Sequence, residues 1–62
     1  MNTGIIGSSP TTVIITLNSG MIIYKYRVSS VFMDGKGLQI TYINGMKETV
    51  KDVESYSVES EE

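Results

Sequence analysis

The chain contains no cysteine, no histidine and no tryptophan among its 62 residues. Without cysteine there is no disulfide framework, and without cysteine and histidine most zinc ligands are missing. Carboxylates alone can still bind Ca²⁺ or Mg²⁺, but no D-x-[DN]-x-[DN]-G loop is present. We therefore expect no metal and no cofactor. A hydrophobic core, self-association or both must then stabilise so short a chain.

The same absences remove the common catalytic arrangements. No histidine is available as a general base and no cysteine as a nucleophile. The serines at positions 8, 9, 29 and 30 lack the surroundings of a nucleophile elbow. We expect a protein that is not an enzyme.

Long apolar runs and a secretory pattern are also missing. No stretch approaches the roughly 20 residues that a membrane helix requires. The first residues show no basic segment followed by an apolar one. We expect a cytoplasmic protein with no membrane contact.

What the chain does contain is β-branched and aromatic residues, interrupted by turn signals about every eight to twelve residues. The strongest signal is Asn44-Gly45, because both residues tolerate the positive φ angles of tight hairpins. The other expected turns are Asn18–Gly20, Asp34–Gly37 and Lys51–Asp52. The expected strands are Thr12–Leu17, Met21–Val28, Val31–Met33, Leu38–Ile43, Met46–Val50 and Val53–Val58. A single helical turn also fits Lys51–Ser55.

These segments predict an all-β domain over residues 12–59, built as a five- to six-stranded antiparallel meander. Residues 1–11 are expected to form a flexible arm and residues 60–62 an acidic tail. Alternation makes one face of the sheet apolar, and no helix is predicted to cover it. The sheet must either curl into a small SH3-like or OB-like barrel or pack as a homo-oligomer. The sequence leaves both open.

The second expected strand carries the best candidate site, Tyr24-Lys25-Tyr26-Arg27. Alternation places both tyrosines on one face, with Ile22 and Val28, and both cations on the other. One interpretation is a surface for single-stranded nucleic acid, which needs aromatic stacking and positive charge together. The other is that the tyrosines belong to the core while Lys25 and Arg27 face solvent.

Sheet edges and the acidic end provide further candidates. Residues 52–62 contain five acidic residues and no basic one. An exposed edge recognises partners by strand addition, and apolar residues on an outer surface suit a protein interface; candidates for that surface are Ile14, Ile23, Phe32 and Ile43. The candidate partner-binding residues are Tyr24, Lys25, Tyr26, Arg27, Phe32, Asp52, Glu54 and Tyr56. Lys36, between Gly35 and Gly37, is a candidate for phosphate or nucleotide through backbone N–H groups, although such a lysine is ordinarily a hairpin tip.

The run LNSGMIIYKYRVSSVFMDGKGLQITYINGMKETVKDVESYSVE resembles small β-meander proteins of phages and mobile elements of Gram-positive bacteria. The shared pattern is an NG or SG hairpin, a tyrosine-rich strand and a closing DVESYSV strand. The resemblance implies an accessory or inhibitor role against a host enzyme, a defence component or a signalling nucleotide, in the host cytoplasm if a phage encodes the chain. It assigns no functional residue.

Three functions are therefore expected to compete. The first is a non-enzymatic binding protein that inhibits or regulates a protein partner. The second is a small barrel that binds single-stranded nucleic acid. The third is an oligomeric sponge for a small signalling nucleotide, built where subunits meet.

Overall fold

A computed structural model describes residues 10–61 of the chain, and these form five β-strands with no helix. No segment in this range is therefore a helix able to cross a membrane. The strands are β1 (Thr11–Leu17), β2 (Ile22–Asp34), β3 (Gly37–Tyr42), β4 (Lys47–Val50) and β5 (Val53–Ser60). The all-β antiparallel prediction is confirmed, with the lower of the two expected strand numbers.

The strands form one sheet in the order β4-β3-β2-β1-β5. β1 to β4 follow one another as a meander, and every neighbouring pair is antiparallel. β5 does not continue the meander beside β4. It pairs instead with β1, at the other end of the sheet. β4 and β5 are therefore the two edge strands.

β2 is a single long strand that bends at Arg27. The predicted strands Met21–Val28 and Val31–Met33 are parts of this one 13-residue element. The register on both sides of β2 shifts near Val28, which marks a β-bulge. Arg27 itself has a φ of 57°, uncommon for a residue other than glycine. Before the bulge β2 pairs with β1, and after it with β3.

The core occupies the inner face of the curved sheet. Among residues 10–61, five side chains are fully buried: Val13, Ile15, Val28, Leu38 and Ile40. The predicted alternation that makes one face of the sheet apolar is confirmed in β1 and β3, where Val13, Ile15, Leu38 and Ile40 are buried.

The alternation predicted for β2 is confirmed from Ile22 to Tyr26, which share one face, but it is wrong at Val28, which lies on the opposite face. Tyr24 and Tyr26 are exposed and lie outside the core, whereas Val28 is buried. The bulge at Arg27 adds one residue between Tyr26 and Val28, and a one-residue shift moves side chains to the opposite face. Ile23, a candidate for the outer surface, is opposite Ile15 and packs against the core.

The sheet is strongly curved because β4 and β5 are joined by only Lys51 and Asp52. In a flat five-stranded sheet the two edges would be about 19 Å apart, at about 4.8 Å per strand. Three Cα–Cα steps from Val50 to Val53 span about 11 Å at most. The edges must therefore converge at this corner, where the Asn18 N–H donates to the Asp52 carbonyl at 2.8 Å.

At the corner Asp52 takes a φ of 61° and the strand resumes at Val53, so the helical turn expected over Lys51–Ser55 is absent. No ladder joins β4 to β5 among residues 10–61. The curved sheet is thus not closed into a barrel.

Candidate functional site

The outer face of β2 presents a row of large apolar side chains. Ile22, Tyr24 and Tyr26 occupy alternate positions before the bulge and share this face. Tyr24 is 53% exposed and Tyr26 60% exposed. Their rings are stacked, with centroids 6.3 Å apart and planes inclined by 16°. The strand therefore presents a continuous aromatic surface that the core does not use.

The β3–β4 hairpin extends this surface beyond Tyr26. Its turn is the predicted Asn44-Gly45, with a φ of 91° at Gly45 and a bond from the Met46 N–H to the Asn44 Oδ1 at 2.9 Å. The Ile43 N–H donates to the Arg27 carbonyl at 3.0 Å, which fastens the hairpin to the bulge. A groove results between the two. Its lining residues are Tyr26, Arg27, Tyr42, Ile43, Asn44 and Met46.

We name the exposed members of this surface the aromatic stripe: Ile22, Tyr24, Tyr26, Ile43 and Met46. Across residues 10–61, ten large hydrophobic side chains are exposed, against five in the buried core. Half of the ten lie in the stripe. A contiguous apolar surface of this kind is typical of an interaction site.

A carboxylate from the end of the chain holds the bulge beside the stripe. Glu61 Oε2 accepts from the Arg27 backbone N–H and from Thr12 Oγ1, both at 2.8 Å. The Glu61 N–H donates to the Pro10 carbonyl at 3.1 Å. The bond from the Arg27 amide, followed by that from Thr12, lowers the pKa of Glu61. Glu61 thus holds the left-handed backbone of Arg27, a residue that lines the groove.

Lys25 lies on the inner face, and the expectation that it faces solvent is wrong. Its Nζ is 3.2 Å from Glu48 Oε2, across the concave side of the sheet from β2 to β4. Tyr42 Oη donates to Glu48 Oε1 at 2.5 Å. That bond and the lysine lower the pKa of Glu48, whereas burial and the same carboxylate raise the pKa of Tyr42 to about 12. Lys25 therefore forms an ion pair within the molecule, and its side chain lies on the opposite face of β2 from Tyr24 and Tyr26.

The remaining candidates are spread over the molecule. Phe32 is 57% exposed but lies opposite Gln39, six positions beyond Tyr26 on β2. Tyr56 is opposite Ile15 on the core side of β5, where the sheet edge leaves it partly exposed. Asp52 forms the corner and Glu54 is exposed on β5. Only Tyr24, Tyr26 and Arg27 of the predicted partner-binding residues come together.

The backbone N–H of Lys36 is already hydrogen-bonded within its own turn and is not available to a ligand. The Lys36 N–H donates to Asp34 Oδ1 at 2.8 Å, and Gln39 Nε2 donates to the same oxygen at 3.2 Å. These two bonds, the amide first, lower the pKa of Asp34. Within the described part of the chain no three His, Cys, Asp or Glu side chains cluster as metal ligands do.

Sequence reasoning missed several residues of the site. Periodicity places Ile22 correctly on the face of Tyr24 and Tyr26 but does not mark it as a binding residue. Met46 follows the Asn-Gly turn, which predicts a hairpin tip but not the groove beside it. Ile43, expected on the outer surface, is exposed there, and Ile14 lies half-buried opposite Tyr24. No local signal identifies Glu61, because its partners lie 34 and 49 positions away.

No protein-family model, curated protein or solved structure matches this chain. Function is therefore inferred from the chemistry of the site.

Proposed function

We propose that the protein is a non-enzymatic binding protein that contacts a protein partner through the aromatic stripe, as a small inhibitor or regulator does. The observation that supports this most is the exposure of the stacked Tyr24 and Tyr26 on a strand whose inner face already supplies the core. Removing such rings from water on binding is favourable, since an aromatic side chain buries a large apolar area.

The residue types of the stripe and its groove are those of an interface centre. Tyrosine, methionine and arginine are enriched at protein interfaces, and tyrosine and arginine dominate binding hot spots. Among the described residues that line the groove, Arg27 is the cation. It would pair with a carboxylate of the partner next to an apolar side chain seated on Tyr26, Ile43 and Met46.

The surface is also held rigid, which favours affinity. Glu61 fixes the bulge from one side, and the Ile43–Arg27 bond fixes the hairpin from the other. Rigid elements that already have the bound geometry lose less conformational entropy on association.

The test compares three forms of the full chain as immobilised bait: wild type, Tyr24→Ala/Tyr26→Ala and Phe32→Ala. A protein captured by wild type and identified by mass spectrometry is then purified and titrated against each form. We expect the tyrosine variant to bind at least about tenfold more weakly, because truncation of a hot-spot residue costs about 2 kcal/mol or more.

Phe32→Ala is the matched control, since it removes an equally exposed aromatic ring from the same strand outside the stripe. It should leave the affinity within about twofold, as most interface-distant truncations do. Equal weakening by both variants, or none by the tyrosine variant, would refute the stripe as the contact surface.

Single-stranded nucleic acid is the second candidate, because the bulge brings Tyr26 and Arg27 to one groove. Stacking on Tyr24 and Tyr26 with phosphate pairing at Arg27 is the expected mode. Fluorescence anisotropy with a labelled oligonucleotide at low salt tests it, with Arg27→Gln as the variant. Binding that is salt-sensitive and lost in Arg27→Gln would support this function, and a flat titration would exclude it.

The SH3-like or OB-like barrel remains a proposal for the architecture that carries the stripe. The two-residue corner between β4 and β5 supports it, since the edges converge there. Closure would protect the backbone amides of β4 and β5 against hydrogen exchange at every protein concentration.

A further inference from the structure

We infer that copies of this chain associate head to tail, with the β4 edge of one copy pairing with the β5 edge of the next. This inference is independent of the aromatic stripe, which lies on the outer face of β2 and the β3–β4 hairpin. It is the alternative to closure of a barrel within one chain, because both would use the same two edges. It concerns the two sheet edges, β4 over Lys47–Val50 and β5 over Val53–Ser60.

Both edges have backbone groups available for a further strand. Within residues 10–61, each edge strand pairs with one neighbouring strand, β3 for β4 and β1 for β5. Alternate N–H and C=O groups of an edge strand point away from that neighbour and form a template for pairing. β5 contains no proline and no lysine, the residues that ordinarily protect an edge.

The charges of the two edges are opposite. β5 carries Glu54 and Glu59, and no basic residue occurs from position 52 onward. β4 carries Lys47 and is followed by Lys51, and both lysines are exposed. The carboxylate of β4, Glu48, is already bonded to Lys25 and Tyr42 on the inner face. The outward charge of the β4 edge is therefore positive.

The opposite charges of the two edges favour the pairing of a β4 edge with a β5 edge. Two β5 edges would bring glutamates against glutamates, and two β4 edges would bring lysines against lysines, which is unfavourable across a ladder. Only β4 against β5 places opposite charges together. Different surfaces on the two copies make the contact heterologous, and such contacts repeat until a ring closes or a filament grows.

Apolar side chains at the β5 edge support the same pairing. Tyr56 and Val58 project from the core side of β5 and stay partly exposed, because β1 covers them from one side only. Val50 projects from the core side of β4, opposite Leu38. A β4–β5 contact between copies would continue the inner apolar face from one sheet into the next and bury these side chains.

The experiment reverses the charges of each edge separately and then together. The variants of the full chain are Lys47→Glu/Lys51→Glu, Glu54→Lys/Glu59→Lys and the quadruple combination. Their molar masses are measured by light scattering over a wide range of protein concentration, and circular dichroism checks that each is folded. All four positions are exposed, so the fold should be retained.

Wild type is expected to exceed the mass of one chain and to dissociate as salt is raised. Each double variant carries like charges on both edges and should associate at least about tenfold more weakly. The quadruple variant should associate again, and so should an equimolar mixture of the two double variants. That rescue is specific to opposite charges facing each other across the contact.

A wild-type mass of one chain at every concentration would overturn the inference. So would a mass that neither double variant lowers, or one that only Tyr24→Ala/Tyr26→Ala lowers, because the contact would then lie elsewhere. Capture of a protein partner through the stripe is measured separately and does not depend on these results.

Discussion

At the scale of single residues, two glutamates do most to fix the geometry of the site. Glu48 joins β4 to β2 and β3 on the inner face, and Glu61 joins the end of the chain to β1 and the bulge. Both look like ordinary surface acids in the sequence, since each occurs in a polar segment. Their roles depend on contacts made only after folding, so residue type and spacing could not predict them.

Replacing Glu61 by glutamine should alter the acid sensitivity of the fold. The folded-state pKa of Glu61 is lowered from 4.5, so its ionised form stabilises the fold above that value and this stability is lost as pH falls through the folded pKa. Glutamine cannot ionise, and the variant should lose less stability between neutral and acid pH. Urea unfolding at a series of pH values measures the difference.

Glu54→Gln provides the control, because it also removes one carboxylate from the C-terminal part of the chain but far from the bulge. It should retain the wild-type acid profile. An acid profile of Glu61→Gln that superimposes on wild type would contradict the role given to the bonds from Arg27 and Thr12.

Replacing Tyr42 by phenylalanine should alter the stability of the fold at alkaline pH. The pKa of Tyr42 rises from 10.0 to about 12 in the folded protein, so the protonated hydroxyl stabilises the fold fully below pH 10 and less as pH rises towards 12. Tyr42→Phe removes this dependence and loses the bond to Glu48, worth on the order of 1 kcal/mol near neutral pH. The variant should thus be less stable at neutral pH but lose less stability between pH 10 and 12, measured by urea unfolding.

At the scale of elements, the strands were predictable and the register of β2 was not. Turn residues and β-branched runs located all five strands within a few residues. Alternation then failed at Arg27, because a bulge shifts every side chain beyond it and arginine gives no local signal of positive φ. Three residues distant in sequence hydrogen-bond to the bulge: Thr11 in β1, Ile43 just after β3 and Glu61 just after β5.

The close approach of β3 and β4 makes a sharp prediction for two glycines of one turn. A Cβ at Gly37 would lie 2.5 Å from the Val50 carbonyl oxygen, and its φ of 134° suits only glycine, whereas a Cβ at Gly35 would meet nothing within 4 Å. Gly37→Ala should therefore destabilise the fold by about 2 kcal/mol or more. Gly35→Ala should change stability by less than about 0.5 kcal/mol. Urea unfolding, monitored by circular dichroism, measures the stability of Gly37→Ala and Gly35→Ala. Equal losses of stability would contradict the close approach of Gly37 to the Val50 carbonyl.

At the scale of the whole molecule, stability depends on very few side chains. In the described part of the chain, the buried core has five residues, all valine, leucine or isoleucine. The sequence predicted that an apolar sheet face without a helix would need curvature or a second copy. The structure supplies the curvature at the two-residue corner, which composition alone could not reveal because the corner depends on which strand β5 joins.

Truncating one core residue should consequently remove much of the folding free energy. Leu38→Ala leaves a cavity in a fully buried site and should cost about 3 kcal/mol. A domain of this size rarely has more than about 3–5 kcal/mol from its core, so the variant should be substantially unfolded at 37 °C. Phe32→Ala, on the exposed face, should remain within about 0.5 kcal/mol of wild type. Thermal unfolding of both variants measures the difference. A melting temperature of Leu38→Ala close to that of wild type would contradict the place of Leu38 in the core.

The pairing of β1 with β5 has a consequence for how the chain acquires its fold during synthesis. β1 is made early, yet one of its two neighbours is β5, and Thr12 bonds to Glu61 some 49 positions later. The hairpins β1–β2, β2–β3 and β3–β4 need only short loops, whereas β5 must close a loop that includes nearly the whole domain. During synthesis, β1 therefore has only one neighbour until β5 has emerged from the ribosome. The β1–β5 pairing is thus the most non-local step in completing the sheet.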